Sequence, residues 1–190
     1  MMNSRAQLLL SIGLLFVLAG CAEPPATPFT ITIENAGTEA VFFTTWTDQP
    51  IVTLEQRIDG EWEDILMDGS CWAKCGQLGP VACADIAFME VVYALVAGDS
   101  ADIEFNGVGL FVQRNNLGSD CVKERTIIGP IRATVCHGTT AETWAGDPIT
   151  APIESGVVNL NDGGFAVSPV CESIEFTLPD ELGGTFVLGL

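Results

Sequence analysis

The sequence predicts an all-β protein folded as an antiparallel sandwich, and three observations support this prediction. Short segments rich in Val, Ile, Thr and Phe alternate apolar and polar residues with the two-residue period of a half-buried strand. These segments recur about every 8–15 residues, as the strands of a sandwich do. The 20 glycines are concentrated in the turns between them. A chain of 190 residues with this pattern is long enough for one domain with a substantial core.

The first twenty residues are predicted to be a cleaved export signal. Arg5 precedes an apolar run from Leu8 to Gly20, which is thirteen residues long and is interrupted by Ser11 and Gly13. A helix that crosses the hydrocarbon core needs about 18 or more apolar residues. The shorter run fits the hydrophobic region of a signal peptide, so residues 1–20 are excluded from the folded domain.

The end of this segment, Leu18-Ala19-Gly20-Cys21, resembles the bacterial lipobox. The resemblance implies a bacterial lipoprotein in which Cys21 becomes the N-terminus and carries covalent lipid. Several acyl chains on one residue would give stable membrane anchoring. Ala22, rather than an Asp that would retain the protein at the inner membrane, favours the outer membrane. No cofactor or metal is expected besides this lipid.

Residues 21–28 are predicted to form a lipidated tether, and 29–190 the single domain. Three prolines in the tether favour an extended chain with a span of about 20 Å. The sequence has 25 acidic and 7 basic residues, a formal charge of −18. Such a chain is a poor nucleic-acid binder, because phosphate neutralisation needs clustered Lys and Arg. The tether is expected to hold this acidic domain away from an anionic membrane.

Alternation and turn residues place the strands along the chain. The sequence Asp59-Gly60 favours a type I′ hairpin, and 97–100 is interpreted as a turn after which the chain returns. Residues 85–96 fit a helix or a strand, with the β-branched second half favouring a strand. The predicted strands are 29–34, 41–46, 51–58, 61–66, 91–96, 101–105, 110–114, 131–136, 156–160, 165–167, 172–178 and 185–190.

The opening strands and residues 95–105 resemble immunoglobulin-type sandwiches. They are more closely similar to proteinase-inhibitor-like and uncharacterised bacterial lipoprotein domains. In those domains an apolar-x-x-Gly-x-Ser turn precedes a strand that ends in an aromatic residue, as Phe105 does here. The resemblance covers about a third of the mature chain and implies an immunoglobulin-like fold rather than a specific function.

The cysteine count agrees with the lipobox, because assigning Cys21 to lipid leaves an even number. In an exported chain six cysteines predict three disulfides, although many pairings remain open. One guess is that Cys121 pairs with Cys136. A zinc site is the alternative, disfavoured because His137 is the single imidazole and C-x2-C pairs are missing. The six candidates are Cys71, Cys75, Cys83, Cys121, Cys136 and Cys171.

Candidate catalytic residues are weighed against ordinary structural roles. Gly98-Asp99-Ser100 matches the nucleophile block of Gly-Asp-Ser hydrolases, but these residues are also typical of a β-turn. His137 has no partner nearby in sequence and is interpreted as a structural imidazole, exposed or hydrogen-bonded. The chain is therefore predicted not to be an enzyme, with a hydrolase as the third-ranked function.

Partner-facing residues are proposed in loops and on the acidic hairpin. Four tryptophans have the chemistry to stack on sugars; Trp62 is assigned to the core, while Trp72 and Trp144 are placed in loops. Asp59, Glu61 and Glu63 are candidates for a cationic partner, with Ca²⁺ an open question.

The sequence thus predicts a non-catalytic binding or envelope-structural module with an envelope protein or glycan as partner. The alternative is an inhibitor of an exported protease, with loop 71–83 as a rigid inserting element.

Overall fold

The computed structural model describes residues 24–46, 50–67, 73–77, 90–114, 118–158 and 163–189, and in this part of the chain every regular element is a strand. The strands are β1 (Phe29–Asn35), β2 (Val41–Trp46), β3 (Val52–Ile58), β4 (Glu61–Ile65), β5 (Glu90–Leu95), β6 (Ser100–Phe105), β7 (Val108–Arg114), β8 (Asp120–Thr126), β9 (Gly129–His137), β10 (Ala141–Thr143), β11 (Gly156–Val158), β12 (Gly164–Ala166), β13 (Val170–Leu178) and β14 (Gly183–Leu188). None of these residues belongs to a helix with the length and apolar character to cross a membrane.

The strands form three larger sheets and two ribbons. Their orders are β13-β9-β3-β4, β14-β1-β6 and β11-β5-β2, with ribbons β7-β8 and β10-β12. A bridge between Leu66 and Leu110 joins β4 to β7, and another between Phe42 and Gly138 connects β2 with the end of β9. These bridges link neighbouring sheets, and the described part of the chain is all-β, as the sequence predicts.

The alternation in each strand determines which face enters the core. Ile31 and Ile33 of β1, Leu54 of β3 and Ile131 of β9 point inward and are almost completely buried, while the residues between them face outward. The main core collects such side chains from ten strands. A second, smaller cluster lies between the other face of β5 and β2 and the β10-β12 ribbon, around Phe42 and Val92. Burial of these apolar faces is the main force that holds the layers together.

The Asp59-Gly60 hairpin is confirmed. Asp59 has φ 51° and Gly60 has φ 93°, the left-handed geometry that a type I′ turn requires. The second half of the ambiguous segment is also confirmed as a strand, since it forms β5; residues 85–89 lie outside the described residues.

The turn at 97–100 does not return the chain as a hairpin, so this expectation is wrong. Strand β5 pairs with β2 and β11, whereas β6 pairs with β1 in another sheet. Gly98 donates its N–H to the Asn35 carbonyl, and Asp99 accepts from the Asn35 N–H. The turn is therefore hydrogen-bonded to the end of β1, and it carries the chain from the sheet that contains β5 to the sheet that contains β6.

Two strands and one pairing direction differ from the sequence prediction. Strands β8 and β10 are absent from the prediction. Charged residues obscure the alternation of β8, and β10, with only three residues, is too short to show a pattern. Strand β14 lies parallel to β1, although the other ladders are antiparallel. The last strand thus closes the sheet beside the first.

Two disulfides lie within the described residues. Cys75 is bonded to Cys121 of β8, and Cys136 of β9 is bonded to Cys171 of β13. The guess that Cys121 pairs with Cys136 is wrong, because β8 and β9 do not pair and each cysteine faces a different partner. Disulfides persist in oxidising compartments, so these two indicate an exported environment.

The described part of the proline-rich segment lies against the domain. The Thr126 hydroxyl donates a hydrogen bond of 3.1 Å to the Pro24 carbonyl. Thr27 passes so close to Gly107 that a Cβ built on Gly107 would lie 2.7 Å from the Thr27 backbone nitrogen. Residues 24–28 are therefore docked beside the β6–β7 turn.

Candidate functional site

An open cleft of about 570 Å³ lies at the end of β2. Its size falls in the range of small-molecule sites. The cleft is formed by the outward faces of β2, β3 and β9 together with the start of β5. It is lined by Thr44, Thr45, Trp46, Pro50, Ile51, Thr53, Glu90, Thr134 and Cys136.

Trp46 lies at one wall of this cleft because of its position in β2. Val41 and Phe43 point into the main core, so Phe42, Thr44 and Trp46 point to the opposite face. The β10-β12 ribbon covers Phe42, and the Thr44 hydroxyl accepts a hydrogen bond of 2.6 Å from the Ala166 N–H. Trp46 lies beyond these contacts and is 48% exposed.

Glu90 lies next to Trp46 because the two are register partners in the β2–β5 ladder. Side chains of directly opposed residues emerge on the same face, about 5 Å apart at Cβ. One carboxylate oxygen of Glu90, Oε2, is shielded from solvent and has no hydrogen-bond partner within the described part of the chain. A shielded acceptor without a donor is costly, and Glu90 is one of the residues that line the cleft.

Another part of the lining is a sheet surface that carries hydroxyl groups. Thr53 of β3 and Thr134 of β9 are register partners on the outward face, and the Thr53 hydroxyl donates to the Thr134 carbonyl. The Thr134 hydroxyl lies 2.8 Å from that of Ser173. Cys136, whose disulfide to Cys171 braces β9 and β13, completes this part of the lining. The cleft thus combines one exposed indole, one carboxylate and several hydroxyl groups.

Trp46 is one of the four tryptophans with sugar-stacking chemistry, but residue type alone does not distinguish it from the other three, and no feature of the sequence points to Glu90. The alternation of β2 was a usable signal, since it places Trp46 on the face opposite Phe43. No local pattern predicts that Glu90 lies beside Trp46. The two residues are far apart in sequence, and their proximity depends on the register of β2 with β5.

Trp144, proposed as partner-facing, is 61% exposed in the turn after β10. Its ring lies 5.0 Å from that of Phe165. A Cβ on Gly163 would come within 2.7 Å of the indole, so one side of the ring is in contact with the backbone. Trp72, the other loop candidate, lies outside the described residues.

Trp62 is not in the core, so that assignment is wrong. It lies half-buried on the outward face of β4, since Ile65, three residues later and therefore on the other face of the strand, points inward. The guanidinium carbon of Arg132 lies 4.6 Å from its ring centroid, and that of Arg57 lies 5.9 Å away. Cation–π contact explains why an indole is stable on this face.

Arg132 also forms a two-pronged ion pair with Glu55. Its Nε and Nη2 each donate a hydrogen bond of 2.6 Å to the carboxylate. The hydrogen bonds and charge of Arg132 lower the pKa of Glu55 below its usual value near 4.5, and the same contact raises the pKa of Arg132. This pair takes Glu55 out of the set of free acidic groups on the hairpin.

Two of the acidic candidates on the hairpin share one face of β4, and the third lies in the turn. Asp59 is exposed in the turn, and Glu61 and Glu63 alternate on the face opposite Trp62 and Asp64. Among the residues that the structure describes, no three His, Cys, Asp or Glu side chains are grouped closely enough to hold a metal ion.

His137 and the Gly98-Asp99-Ser100 segment have identifiable contacts. His137 is buried, and its Nε2 lies 3.2 Å from Oε1 of Glu172 on the neighbouring strand. The hydroxyl of Ser155 and the Ser100 N–H both donate to Asp99. These hydrogen bonds lower the pKa of the Asp99 carboxyl. The segment is a turn, as predicted.

Comparisons with protein-family models, with curated proteins and with solved structures find no significant match to this chain.

Proposed function

We propose that this protein is an exported module of the bacterial cell envelope, lipid-anchored in the outer membrane, that binds a partner without catalysis. The observation that carries the binding role is the open cleft between Trp46 and the threonine-rich face of β3 and β9. An aromatic residue left exposed in a concave site with convergent polar groups is typical of ligand recognition.

The number of cysteines used in disulfides supports a lipid anchor on Cys21. The two observed disulfides use four of the six cysteines that follow Cys21. Cys71 and Cys83 remain, and they would form a third bridge in an oxidising compartment. Cys21 is then the unpaired cysteine, at the position where the lipobox resemblance places the lipid.

The docked segment supports a close, oriented attachment. Pro24 contacts Thr126, so the domain begins to hold the chain three residues after Cys21. Three residues span about 10 Å at most. A lipid on Cys21 would therefore keep the β6–β7 end of the domain near the membrane.

The layered strands support an immunoglobulin-like sandwich as the finer fold. The sheet β13-β9-β3-β4 and the sheet β14-β1-β6 share one core. Two sheets enclosing a core of alternating inward residues is the architecture of such sandwiches.

Lipid labelling tests the anchor. Cells given labelled palmitate should label the wild-type protein, and globomycin should cause an unprocessed precursor to accumulate. The variant Cys21→Ser should take up no label, whereas Cys71→Ser, which also removes one thiol, should be labelled as wild type. Label on Cys21→Ser would reject the lipoprotein assignment.

Cross-linking in intact cells tests the binding role. The wild-type protein should be recovered with a reproducible envelope protein or glycan, and Trp46→Ala should lose it. A catalytic product formed from the recovered partner would contradict the non-catalytic assignment.

An inhibitor of an exported protease is the second candidate, favoured by one observation. The Cys75–Cys121 bond fixes segment 73–77 to β8, and a constrained loop loses little entropy on binding. A panel of exported proteases should show inhibition at micromolar protein if this is correct; absence of inhibition removes the candidate.

A further inference from the structure

The cleft beside Trp46 is lined by chemically different side chains. The exposed indole and, beside it in register, the carboxylate of Glu90 belong to β2 and β5. Thr53 and Thr134 add hydroxyl groups from β3 and β9, and Ile51 adds apolar surface. A ligand that fits this lining needs an apolar face for the indole and several groups that exchange hydrogen bonds with hydroxyls.

The Glu90 carboxylate further restricts the ligand. Its Oε2 is shielded from solvent and has no donor among the described groups, although shielded acceptors are normally satisfied. Glu90 lines the cleft, so a turn of its carboxylate toward the cleft would expose this oxygen to a ligand hydroxyl, which would supply the missing donor. A hydrogen bond from a neutral hydroxyl to an ionised carboxylate is stronger than one between two neutral groups.

From this arrangement we propose that the cleft is a saccharide-binding subsite, in which Trp46 stacks on a sugar ring and Glu90 accepts a hydrogen bond from a ring hydroxyl. The C–H groups on one face of a pyranose fit the electron-rich face of an indole. The hydroxyls at its edge fit the threonines and Glu90. The proposal specifies the partner class of the binding role proposed above and depends on that role.

A cationic peptide side chain is the competing ligand, since a carboxylate beside an indole also attracts ammonium and guanidinium groups. The two threonines favour the sugar. Hydroxyl groups add hydrogen bonds to a polyhydroxylated ring, whereas they add little to a single ammonium group already held by Glu90 and Trp46.

Ligand-observed NMR and calorimetry on the full-length lipidated protein in detergent would test the proposal. The probes are cellobiose, maltose, lactose and chitobiose, with a tri-lysine peptide as the cationic comparison. At least one disaccharide should bind, and its affinity should fall about tenfold or more in Trp46→Ala. Trp46→Phe should recover part of the loss, because a smaller aromatic face remains.

Glu90→Gln should weaken the same disaccharide by about threefold or more, because a neutral amide is a weaker acceptor than a carboxylate. Ile153→Ala is the control, since it removes an exposed apolar side chain outside the cleft; the affinity of this variant should equal that of wild type. Thermal unfolding of each variant establishes that the domain is folded.

Three outcomes would overturn the proposal: no disaccharide binds at 10 mM or about that concentration, Trp46→Ala binds as wild type does, or only the peptide binds. If the cross-linked envelope partner is retained while saccharide binding fails, the binding role stands and the saccharide subsite is wrong. If a bound disaccharide is cleaved, the subsite stands and the non-catalytic assignment is wrong.

Discussion

Asn35 connects the end of β1 to two neighbouring segments. The side chain is completely buried. Its amide donates hydrogen bonds of 2.8 and 2.9 Å to the carbonyls of Glu39 and Leu95, and its Oδ1 accepts from the Gly37 N–H. One side chain therefore satisfies backbone groups of the β1–β2 turn and of β5, where no strand ladder is available to do so.

Replacing Asn35 with Ala should lower the free energy of unfolding by about 2–4 kcal/mol, because buried carbonyls lose their donors. Urea unfolding at neutral pH measures the change. Asn106→Ala is the control: its Oδ1 also accepts a backbone hydrogen bond, from Val108, but the residue is exposed, so the expected cost is about 1 kcal/mol or less. Equal costs for the two variants would contradict the argument.

Glu55 makes part of the stability depend on pH. The contact with Arg132 lowers its pKa in the folded state, so the folded protein binds fewer protons here than the unfolded chain does. The stabilisation is complete above the unfolded value near 4.5 and is lost as the pH falls through the lower folded value.

The variant Glu55→Gln should therefore show a smaller drop in urea midpoint between pH 6 and pH 3, or about those values, than wild type does. It should also be less stable than wild type at the upper pH. Glu34→Gln, at an exposed position of β1, removes an equal charge without touching Arg132. A wild-type-like pH profile for Glu55→Gln would show that the ion pair adds nothing to folding.

At the scale of elements, the strands follow from local sequence but their partners do not. Alternation identifies β1, β3 and β9 because each buries one face. The Asp59-Gly60 turn also follows, because few sequences tolerate two left-handed residues. The transfer of the chain at Gly98 and the parallel β14 depend on contacts between distant strands, which no local pattern contains.

The two disulfides act on different kinds of element. Cys136–Cys171 joins residues that are already register partners in β9 and β13. Cys75–Cys121 instead holds segment 73–77 on β8, where the backbone contributes hydrogen bonds between Cys75, Val122 and Ala73. Loss of the Cys75–Cys121 bond removes the disulfide that holds this segment on β8.

The double variant Cys75→Ser/Cys121→Ser should therefore be cut by trypsin after Lys74 under native conditions, because Lys74 is exposed and its segment opens locally. Cys136→Ser/Cys171→Ser should resist cleavage at Lys74. Each variant should lose about 2–4 kcal/mol of stability. Peptide mapping of the digests identifies the cut, and equal cleavage at Lys74 in both variants would contradict the assignment.

At the scale of the whole molecule, the candidate cleft was beyond sequence prediction for a physical reason. The cleft is formed by the outward faces of β2, β3 and β9 and by Glu90, which the register of β5 places beside β2. It therefore exists only once the sheets are packed. Exposure of Trp144 was predictable from its loop position. The position of Trp62 was not, because its partner Arg132 comes from a strand two ladders away.

The contact between Gly107 and Thr27 determines how the N-terminal segment meets the domain. Gly107 has φ 77°, and a Cβ there would collide with the Thr27 backbone. Gly98 has nearly the same φ, 76°, but a Cβ on it would have nothing within 4 Å. The two glycines thus separate the cost of backbone strain from the cost of the collision.

Gly107→Ala should release residues 24–28 from the domain, whereas Gly98→Ala should leave them docked. In ¹⁵N relaxation of the chain starting at Ala22, the amides of Ala26 and Thr27 should fall from rigid order parameters, about 0.85, to below about 0.6 only in Gly107→Ala. Release frees five residues, which at polyproline pitch allow about 15 Å of additional reach. If the protein is lipid-anchored as proposed, that change would let the β6–β7 end move away from the membrane. Unchanged order parameters in Gly107→Ala would reject the docked, oriented attachment.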